Sequence, residues 1–280
     1  MFSKLLKHEW KANAGLLGIL SACALGAGLL GTLVMRGILY MNERMEQEDM
    51  AAFGVSGLTS ALIFIILALV AYAFAVQFIT FYRFYKNKFT DEGYLTFTLP
   101  VSTSQIFLSS FLNILAWLVI SALVVIAAAS MIIFIGAAEP MKEYMDELQY
   151  MLGNSSDLED TIFGEPGYMT YCVLSCISAV IAPVYSVILL MTSITIGSVV
   201  AKKHKILATI GMYYCINFGV STVESILTVV PTIIAAATYE DNVYIYMNIA
   251  TITSMVLQIG LGIGGYFLST YLMKRKLNLP

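Results

Sequence analysis

The hydrophobic positions of this chain fall into long uncharged runs separated by short clusters of charge. Five runs are 24 to 46 residues long, and two shorter runs of 18 and 15 residues flank Glu224. An α-helix needs about 20 mostly apolar residues to cross the hydrocarbon core of a bilayer. The pattern therefore predicts an all-α fold, a polytopic integral membrane protein with six transmembrane helices. We place the spans at about 14–35, 57–80, 105–136, 169–200, 206–224 and 246–273, in a single transmembrane domain covering 1–280.

The first residues of the chain form an amphipathic segment. Within 2–11 the apolar side chains share one helical face, opposite lysines and a histidine: Phe2, Leu5, Leu6 and Trp10. This pattern is typical of a helix that lies in the membrane interface, so we predict an N-terminal interfacial helix; a frayed basic tail is the alternative. A cleaved signal peptide has a short apolar run, whereas here the run continues past Cys23 to Met35, which argues against cleavage.

Glu224 is the one carboxylate inside an apolar stretch. It follows Lys205 by nineteen residues, about 28 Å of helix, which predicts a position near the outer boundary of the membrane. An ionisable residue within a span is a functional candidate; an interfacial carboxylate with no special role is the alternative. The next residues, 225–238, contain Pro231 and are too short for another crossing. We therefore predict a re-entrant segment between helices five and six.

The outer loop over residues 137–168 is predicted to contain a short helix. Apolar side chains recur there at helical spacing before Gly153-Asn154 interrupts the pattern: Met141, Tyr144, Met145, Leu148 and Met151. Such a helix can pack on the spans, contact a partner or lie on the outer leaflet.

The basic residues are distributed unevenly between the two sides of this arrangement. Twelve of the fifteen lie on one side, in the N-terminal segment, the loop between spans two and three, and residues 202–205 and 274–276. The other side keeps Arg36, Arg44 and Lys142, against fourteen carboxylates in its loops. Because Lys and Arg are enriched in cytoplasmic loops, we predict a protein of the plasma membrane, in a bacterium the cytoplasmic membrane, with both termini cytoplasmic.

Composition excludes a soluble enzyme. The chain is 59% hydrophobic and 12% charged, whereas soluble domains carry about 25% charged residues. It has no Gly-Lys pair and so no P-loop. Residues 260–265 satisfy the G-x-G-x-x-G fingerprint but lie in a span, where Gly260 and Gly264 predict a helix-packing face. We predict no catalytic site, no metal site, no cofactor on this chain and no nucleic-acid partner.

Residues 90–100, which are part of the loop between spans two and three, are named here the coupling loop. Thr90 can cap a short helix with acidic residues in its first turn, aromatic and aliphatic side chains follow, and Ser102 with Gln105 forms a capping box for the third span. The candidate site residues are Asp91, Glu92, Gly93, Tyr94, Leu95, Phe97, Leu99 and Pro100. Apolar side chains exposed to the cytosol indicate a protein partner; immersion in the lipid headgroups is the alternative.

The stretch from Asp91 to Ser102, DEGYLTFTLPVS, resembles the loop between spans two and three of type-2 ABC exporter permeases. In that family a Glu, a Gly, a Leu and then Leu-Pro-Val-Ser recur there. The opening KLLKHEWK at residues 4–11 resembles the interfacial elbow helix of the same family. Many relatives carry a basic residue after Pro-Val-Ser and a lysine early in the third span, where this chain has Thr103 and Ser109-Ser110.

The resemblance implies a membrane-spanning permease subunit of an ATP-driven exporter. In that family the loop helix seats on a separate ATP-binding subunit, which would carry ATP and magnesium, and two permease copies pair as a homodimer or heterodimer. Spans two and five usually line the path. By that analogy, with Glu224 added as the acid of the fifth span, the candidate path residues are Phe64, Phe74, Phe78, Asn217, Phe218 and Glu224. Core packing is the alternative for each residue carried over by analogy.

Two other functional classes fit the same spans. An ion-coupled secondary transporter requires charged or polar sites near the midplane, where this chain offers Asn217 and Gln258. A non-transporting membrane anchor or sensor would use the coupling loop to dock a cytosolic protein. In all three classes membrane lipid is the surrounding partner.

Overall fold

Helices make up the regular structure of this chain. The computed structural model describes residues 2–42, 49–90, 93, 96–98, 100–153, 167–201, 204–238 and 243–275. In these ranges the helices are α1 (Phe2–Asn42), α2 (Asp49–Phe89), α3 (Thr103–Ser130), α4 (Ala138–Gly153), α5 (Tyr168–Val200), α6 (Lys205–Thr238) and α7 (Val243–Arg275), and a π-helical segment, Met131–Gly136, follows α3. The described part of the chain contains no strand, which confirms the all-α prediction.

Six candidate transmembrane segments occur among the described residues. They are Phe2–Asn42, Gly54–Phe89, Thr103–Gly136, Tyr168–Val200, Lys205–Ile233 and Val243–Lys274. Each predicted span lies inside one of them. A helix satisfies its backbone N–H and C=O groups internally, as an apolar membrane interior requires. The prediction of six long apolar helices that could span a membrane is confirmed.

Two finer predictions, an interfacial helix and a re-entrant segment, are not shown as separate elements. Residues 2–11 form the first turns of α1, which continues unbroken into the first span. Residues 225–238 continue α6 through Pro231. On either side of this proline, the Thr228 and Thr232 hydroxyls donate to carbonyls one turn back, at 2.8 Å each.

The structure divides into two compact units. The first contains Leu6–Thr80 and Ala116–Asn154. Its core is built from side chains of α1, α2 and α3: Leu17, Ala24, Leu69, Tyr72, Val76, Trp117 and Ala128. The Ser21 and Tyr72 hydroxyls lie 2.8 Å apart and hydrogen-bond, which joins α1 to α2 inside this apolar core. Trp10 stacks on Trp117, with ring centroids 4.9 Å apart.

Close helix approach in the first unit occurs at two of the glycines of α1. A Cβ atom at Gly28 would lie 2.7 Å from the Cβ of Ala128, and one at Gly31 would lie 2.7 Å from Ile132 Cδ1. Gly15 and Gly18, by contrast, face open space. The small residues of the first span therefore mark one contact with α3 and its π-helical continuation, not a packing face along the whole helix.

The π-helical segment is bonded to α1. The N–H of Ala137 donates to the carbonyl of Ile132, five residues back, at 3.2 Å, and shares the proton with Ile133. Arg36 Nε donates to the carbonyl of Ile135 at 3.2 Å. Where the backbone hydrogen bonds span five residues and not four, the helix widens and its carbonyl groups leave the regular hydrogen-bond pattern. Arg36 donates to one of these displaced carbonyls.

Helix α4 confirms the short helix predicted in the outer loop. It covers Ala138–Gly153, so its described part reaches the residue predicted to interrupt it. Tyr144 and Met145 on its apolar face are 61% and 53% exposed. Of the three placements left open by the sequence, packing of these two side chains on the spans is therefore not observed.

The second compact unit contains Met1–Leu5, Phe81–Leu115 and Ser155–Pro280. Here α5 packs against both α6 and α7, and α6 packs against α7. Only four residues separate α5 from α6 and α6 from α7, a spacing that makes successive helices antiparallel neighbours. Among the glycines of this unit, Gly197 on α5 makes the tightest contact, since a Cβ atom there would lie 2.5 Å from Thr209 Cα on α6.

The predicted packing face at Gly260 and Gly264 is wrong for the contacts within this chain. No atom of the described residues lies within 4 Å of a Cβ added at either glycine. Gly265 makes the contact with α5 instead, because it faces Thr192, whose Oγ1 lies 2.9 Å from that position. One turn further on, Ser269 Oγ donates to Thr192 Oγ1 at 3.0 Å. Helix α7 therefore packs on α5 with Gly265 and not with the neighbouring Gly264, so the contact face lies one residue further around the helix than predicted.

Candidate functional site

The coupling loop leaves α2 at a residue held by aromatic contacts. The Phe89 side chain is 1% exposed, and its ring lies edge-on to Phe84 at 5.6 Å. Phe84 contacts Phe107 of α3 at 6.4 Å, and Phe107 contacts Tyr266 of α7 at 5.6 Å. Edge-to-face pairs at these distances are favourable. The start of the loop is therefore packed against α3 and, through Phe107, against α7.

A lysine from another connection also holds this point. Lys205 is the first residue of α6, and its Nζ donates to the carbonyl of Phe89, the last residue of α2, at 3.3 Å. The last carbonyls of a helix lack intrahelical partners and carry partial negative charge. An ammonium group there satisfies one of them. The sequence predicted Lys205 only as a topological anchor, because 116 residues separate it from Phe89 and no local pattern links them.

The coupling loop folds back onto the end of α2. Thr96 Oγ1 donates to the carbonyl of Asn87 at 3.1 Å, and the N–H of Gly93 donates to the carbonyl of Thr90 at 2.8 Å. Gly93, Thr96 and Phe97 have helical backbone, as expected for a short helix in the loop. The first bond fixes the loop to the helix from which it emerges, and the second closes a turn within the loop.

The candidate coupling residues are only partly described. Gly93 is buried, Phe97 is half-buried and Pro100 is exposed. The others lie outside the described residues: Asp91, Glu92, Tyr94, Leu95 and Leu99. Phe97 is thus the aromatic side chain of the loop for which a partly accessible position is observed.

The capping box predicted at the start of the third span is confirmed for the Ser102 side chain. Helix α3 begins at Thr103, directly after Ser102, and the N–H of Gln105 donates to Ser102 Oγ at 3.3 Å. A serine hydroxyl at this position accepts one of the N–H groups that the first turn leaves without a partner. The coupling loop is therefore closed at its far end by a defined helix start.

The candidate path residues lie on exposed helix faces in different units. Phe64, Phe74 and Phe78 of α2 are 71%, 68% and 72% exposed, on the side opposite the core residues of that helix. Phe218 of α6 is 76% exposed, and Asn217 beside it is half-buried. None of the four phenylalanines is packed in the core of this chain.

Glu224 belongs to a polar cluster between α6 and α7. The Ser254 hydroxyl donates a short hydrogen bond to Glu224 Oε1, and Gln258 Nε2 donates to Ser254 Oγ at 3.0 Å. These groups line a cavity of about 500 Å³ that is open to the surface and bounded by α5, α6 and α7. The sequence singled out Glu224 and Gln258 separately. Ser254 was missed, and its spacing of four residues from Gln258 is the signal that places both on one face of α7.

The fold defines the class of this protein as a polytopic helical membrane protein. Comparison with protein families, with curated proteins and with solved structures found no match to the chain. Its function is inferred from the coupling loop and from the cavity at Glu224.

Proposed function

We propose that this chain is the membrane-spanning permease subunit of an ATP-driven exporter of the type-2 ABC class. The coupling loop docks on a separate ATP-binding subunit, which supplies ATP and magnesium. The attachment of this loop to the transmembrane helices carries the proposal. The Lys205 ammonium links the loop's starting point to α6, and the contact between Phe107 and Tyr266 links it to α7. Movement of the partner would reach both helices through these contacts.

The proposal places both termini and the coupling loop in the cytoplasm. The hydrogen bond from Lys205 to Phe89 supports a common side for the coupling loop and the α5–α6 connection. Glu224 follows Lys205 by nineteen residues and Ser254 precedes Lys274 by twenty, about 30 Å of helix in each case. This equal distance from two basic helix ends supports a position of the Glu224 cluster near the outer boundary.

The finer membrane placements belong to the same proposal. Residues 2–11 lie in the cytoplasmic interface of the plasma membrane, and residues 225–238 lie at its outer boundary, where a re-entrant segment would sit. The apolar and basic faces of residues 2–11 support their interfacial position. The distance of Glu224 from Lys205 supports the outer position of residues 225–238.

Two copies of the permease, or this chain and a related one, form the path together. The exposed face of α2, with Phe64, Phe74 and Phe78, and the exposed Phe218 of α6 are the surfaces offered for pairing and for the path. Large aromatic side chains on two helix faces supply the apolar wall that an amphipathic substrate requires.

One observation favours a second candidate, an ion-coupled secondary transporter. The cluster of Glu224, Ser254 and Gln258 gives this chain an acid with polar partners between α6 and α7, although it lies nearer the outer boundary than the midplane sites that such transporters use. The two functions separate in proteoliposomes. Export that requires ATP and the partner supports the first, whereas export driven by an ion gradient alone supports the second.

Co-purification tests the proposal directly. The tagged full-length chain is co-expressed with each candidate ABC ATPase of the same genome, beside a control chain whose residues 90–100 are replaced by a Gly-Ser segment of equal length. We expect one ATPase to be retained by the natural chain and lost from the control. Retention of none by the natural chain, or equal retention by both, contradicts the proposal.

Replacing Lys205 by methionine should separate ATPase binding from transport. The exposed surface of the coupling loop is unchanged, so the partner still binds, but the link from Phe89 to α6 is lost. A hydrogen bond to a charged group contributes about 1.5 kcal/mol, so we expect transport per ATP hydrolysed to fall by up to about tenfold. Transport and ATP hydrolysis are measured together in proteoliposomes.

Two variants control this experiment. Lys205→Arg keeps a donor at the same place and should restore coupling, and Lys274→Met removes a lysine whose side chain is exposed and should change little. A Lys205→Met protein with the coupling ratio of the natural chain would show that this contact does not transmit movement.

A further inference from the structure

The cavity beside Glu224 is lined by hydrogen-bond acceptors. Six hydroxyl side chains line it: Ser178, Ser221, Ser225, Thr228, Thr251 and Ser254. Five of these hydroxyls donate to backbone carbonyls of their own helices at 2.7 to 3.1 Å. The sixth, Ser254, donates to Glu224. Every hydroxyl proton around the cavity is therefore already used within the protein.

A hydroxyl has one proton to donate and two lone pairs to accept with. With the protons committed, these oxygens offer only lone pairs to a molecule in the cavity. Glu224 contributes a carboxylate, and Gln258 has a buried Oε1 with no hydrogen-bond partner. The cavity is thus an acceptor site with one negative charge.

We propose that this cavity binds the primary ammonium group of a small organic cation. Three N–H donors and a positive charge complement the hydroxyl lone pairs and the Glu224 carboxylate. The volume of about 500 Å³ is that of a pocket for a small organic molecule. This proposal gives the proposed exporter a substrate class. Binding of the cation does not depend on the exporter function; only its transport rests on that proposed function.

Other ligand classes fit these groups less well. A quaternary ammonium has the charge without N–H donors, and an alcohol has a donor without the charge. Divalent metals require several strong ligands, and the described residues contain no group of three His, Cys, Asp or Glu side chains that can hold one. A cation within a membrane span is costly unless paired, which makes Glu224 the necessary partner.

Binding is tested on the full-length protein in lipid nanodiscs without any ATPase. The probes are 2-phenylethylammonium, its N,N,N-trimethyl analogue and 2-phenylethanol, measured by equilibrium dialysis with empty nanodiscs subtracted. We expect the primary ammonium to bind at least about tenfold more tightly than either analogue, the effect of a charge-assisted hydrogen bond. No binding of the primary ammonium, or equal binding of the trimethyl analogue, overturns the proposal.

Three variants locate the binding. Glu224→Gln keeps the shape and removes the charge, and we expect it to weaken binding by about ten- to a hundredfold. Glu143→Gln makes the same change at an exposed position of α4 and should bind like the natural chain. Ser225→Leu fills the cavity while Glu224 remains, and should also abolish binding, so the test stands even if one variant does not fold. Unchanged binding in a folded Glu224→Gln or Ser225→Leu protein overturns the proposal.

The two proposals fail separately. Ammonium binding that requires Glu224, in a chain that retains no ATPase, would leave the binding site intact and remove the ATP-driven function. Retention of an ATPase by a chain that binds no ammonium would do the reverse.

Discussion

Changing Phe97 to aspartate should abolish ATP-driven export while the chain still folds and inserts. Phe97 is the half-buried apolar residue of the coupling loop, next to Thr96, whose hydroxyl holds the loop to α2. An aromatic side chain at the centre of an interface typically contributes 2 kcal/mol or more, about thirtyfold in affinity. Aspartate removes that contact and adds a charge that the interface would have to desolvate.

The measurement is retention of the ATPase on the tagged permease, followed by transport in vesicles. Ser3→Asp introduces the same charge at an exposed position near the predicted cytoplasmic end of α1 and should leave both quantities unchanged. Leu95→Asp, predicted from the sequence alone, should act like Phe97→Asp. Normal ATPase retention and export in both loop variants would contradict docking through this loop.

Replacing Gly197 by alanine should remove most of the folded protein. The added Cβ would lie 2.5 Å from Thr209 Cα and 2.7 Å from Thr209 N. These are backbone atoms, so no side-chain rotation relieves the overlap, and α5 and α6 have to separate. Overpacking of this kind costs about 3 kcal/mol, and the contact lies beside the connection that carries Lys205.

Thermal unfolding in detergent, with the yield of monodisperse protein, measures this effect. Gly211→Ala and Gly260→Ala are matched controls, because neither glycine has an atom within 4 Å of the added Cβ. We expect the controls to unfold within a few degrees of the natural chain. Equal destabilisation by all three alanines would indicate a general helix effect and not the close contact at Gly197.

The spans were predictable because lipid leaves the chain few options. A long uncharged run has to satisfy its backbone internally, so the six apolar helices follow from the positions of the charges. The helix cap at Ser102 was equally predictable, since it depends on residues three positions apart. The helix in the outer loop was predictable for the same local reason.

Rotation about a helix axis and distant contacts were not predictable in this way. The G-x-x-x-G pattern shows that α7 can be approached closely, but the neighbour decides which face is used, and α5 meets Gly265. The bonds from Lys205 to Phe89 and from Ser254 to Glu224 join residues 116 and 30 positions apart. Nothing in the local sequence encodes such pairs. The site was therefore predictable as isolated residues but not as a connected cluster.

The π-helical segment Met131–Gly136 has a consequence for comparing this chain with others of similar length. Five-residue hydrogen bonds take in one residue more per turn than an α-helix does, so everything beyond Gly136 is turned by about 100° relative to an uninterrupted α3. A relative lacking one residue here would keep a continuous ladder of hydrogen bonds. Because the missing residue cancels this turn, the outer segment of that relative would leave the same side of the helix, but Arg36 would lose its carbonyl partner. A one-residue gap in this stretch of an alignment would thus mark the absence of the π-helical segment, whereas an ungapped relative with a regular α-helix would send its outer segment in another direction.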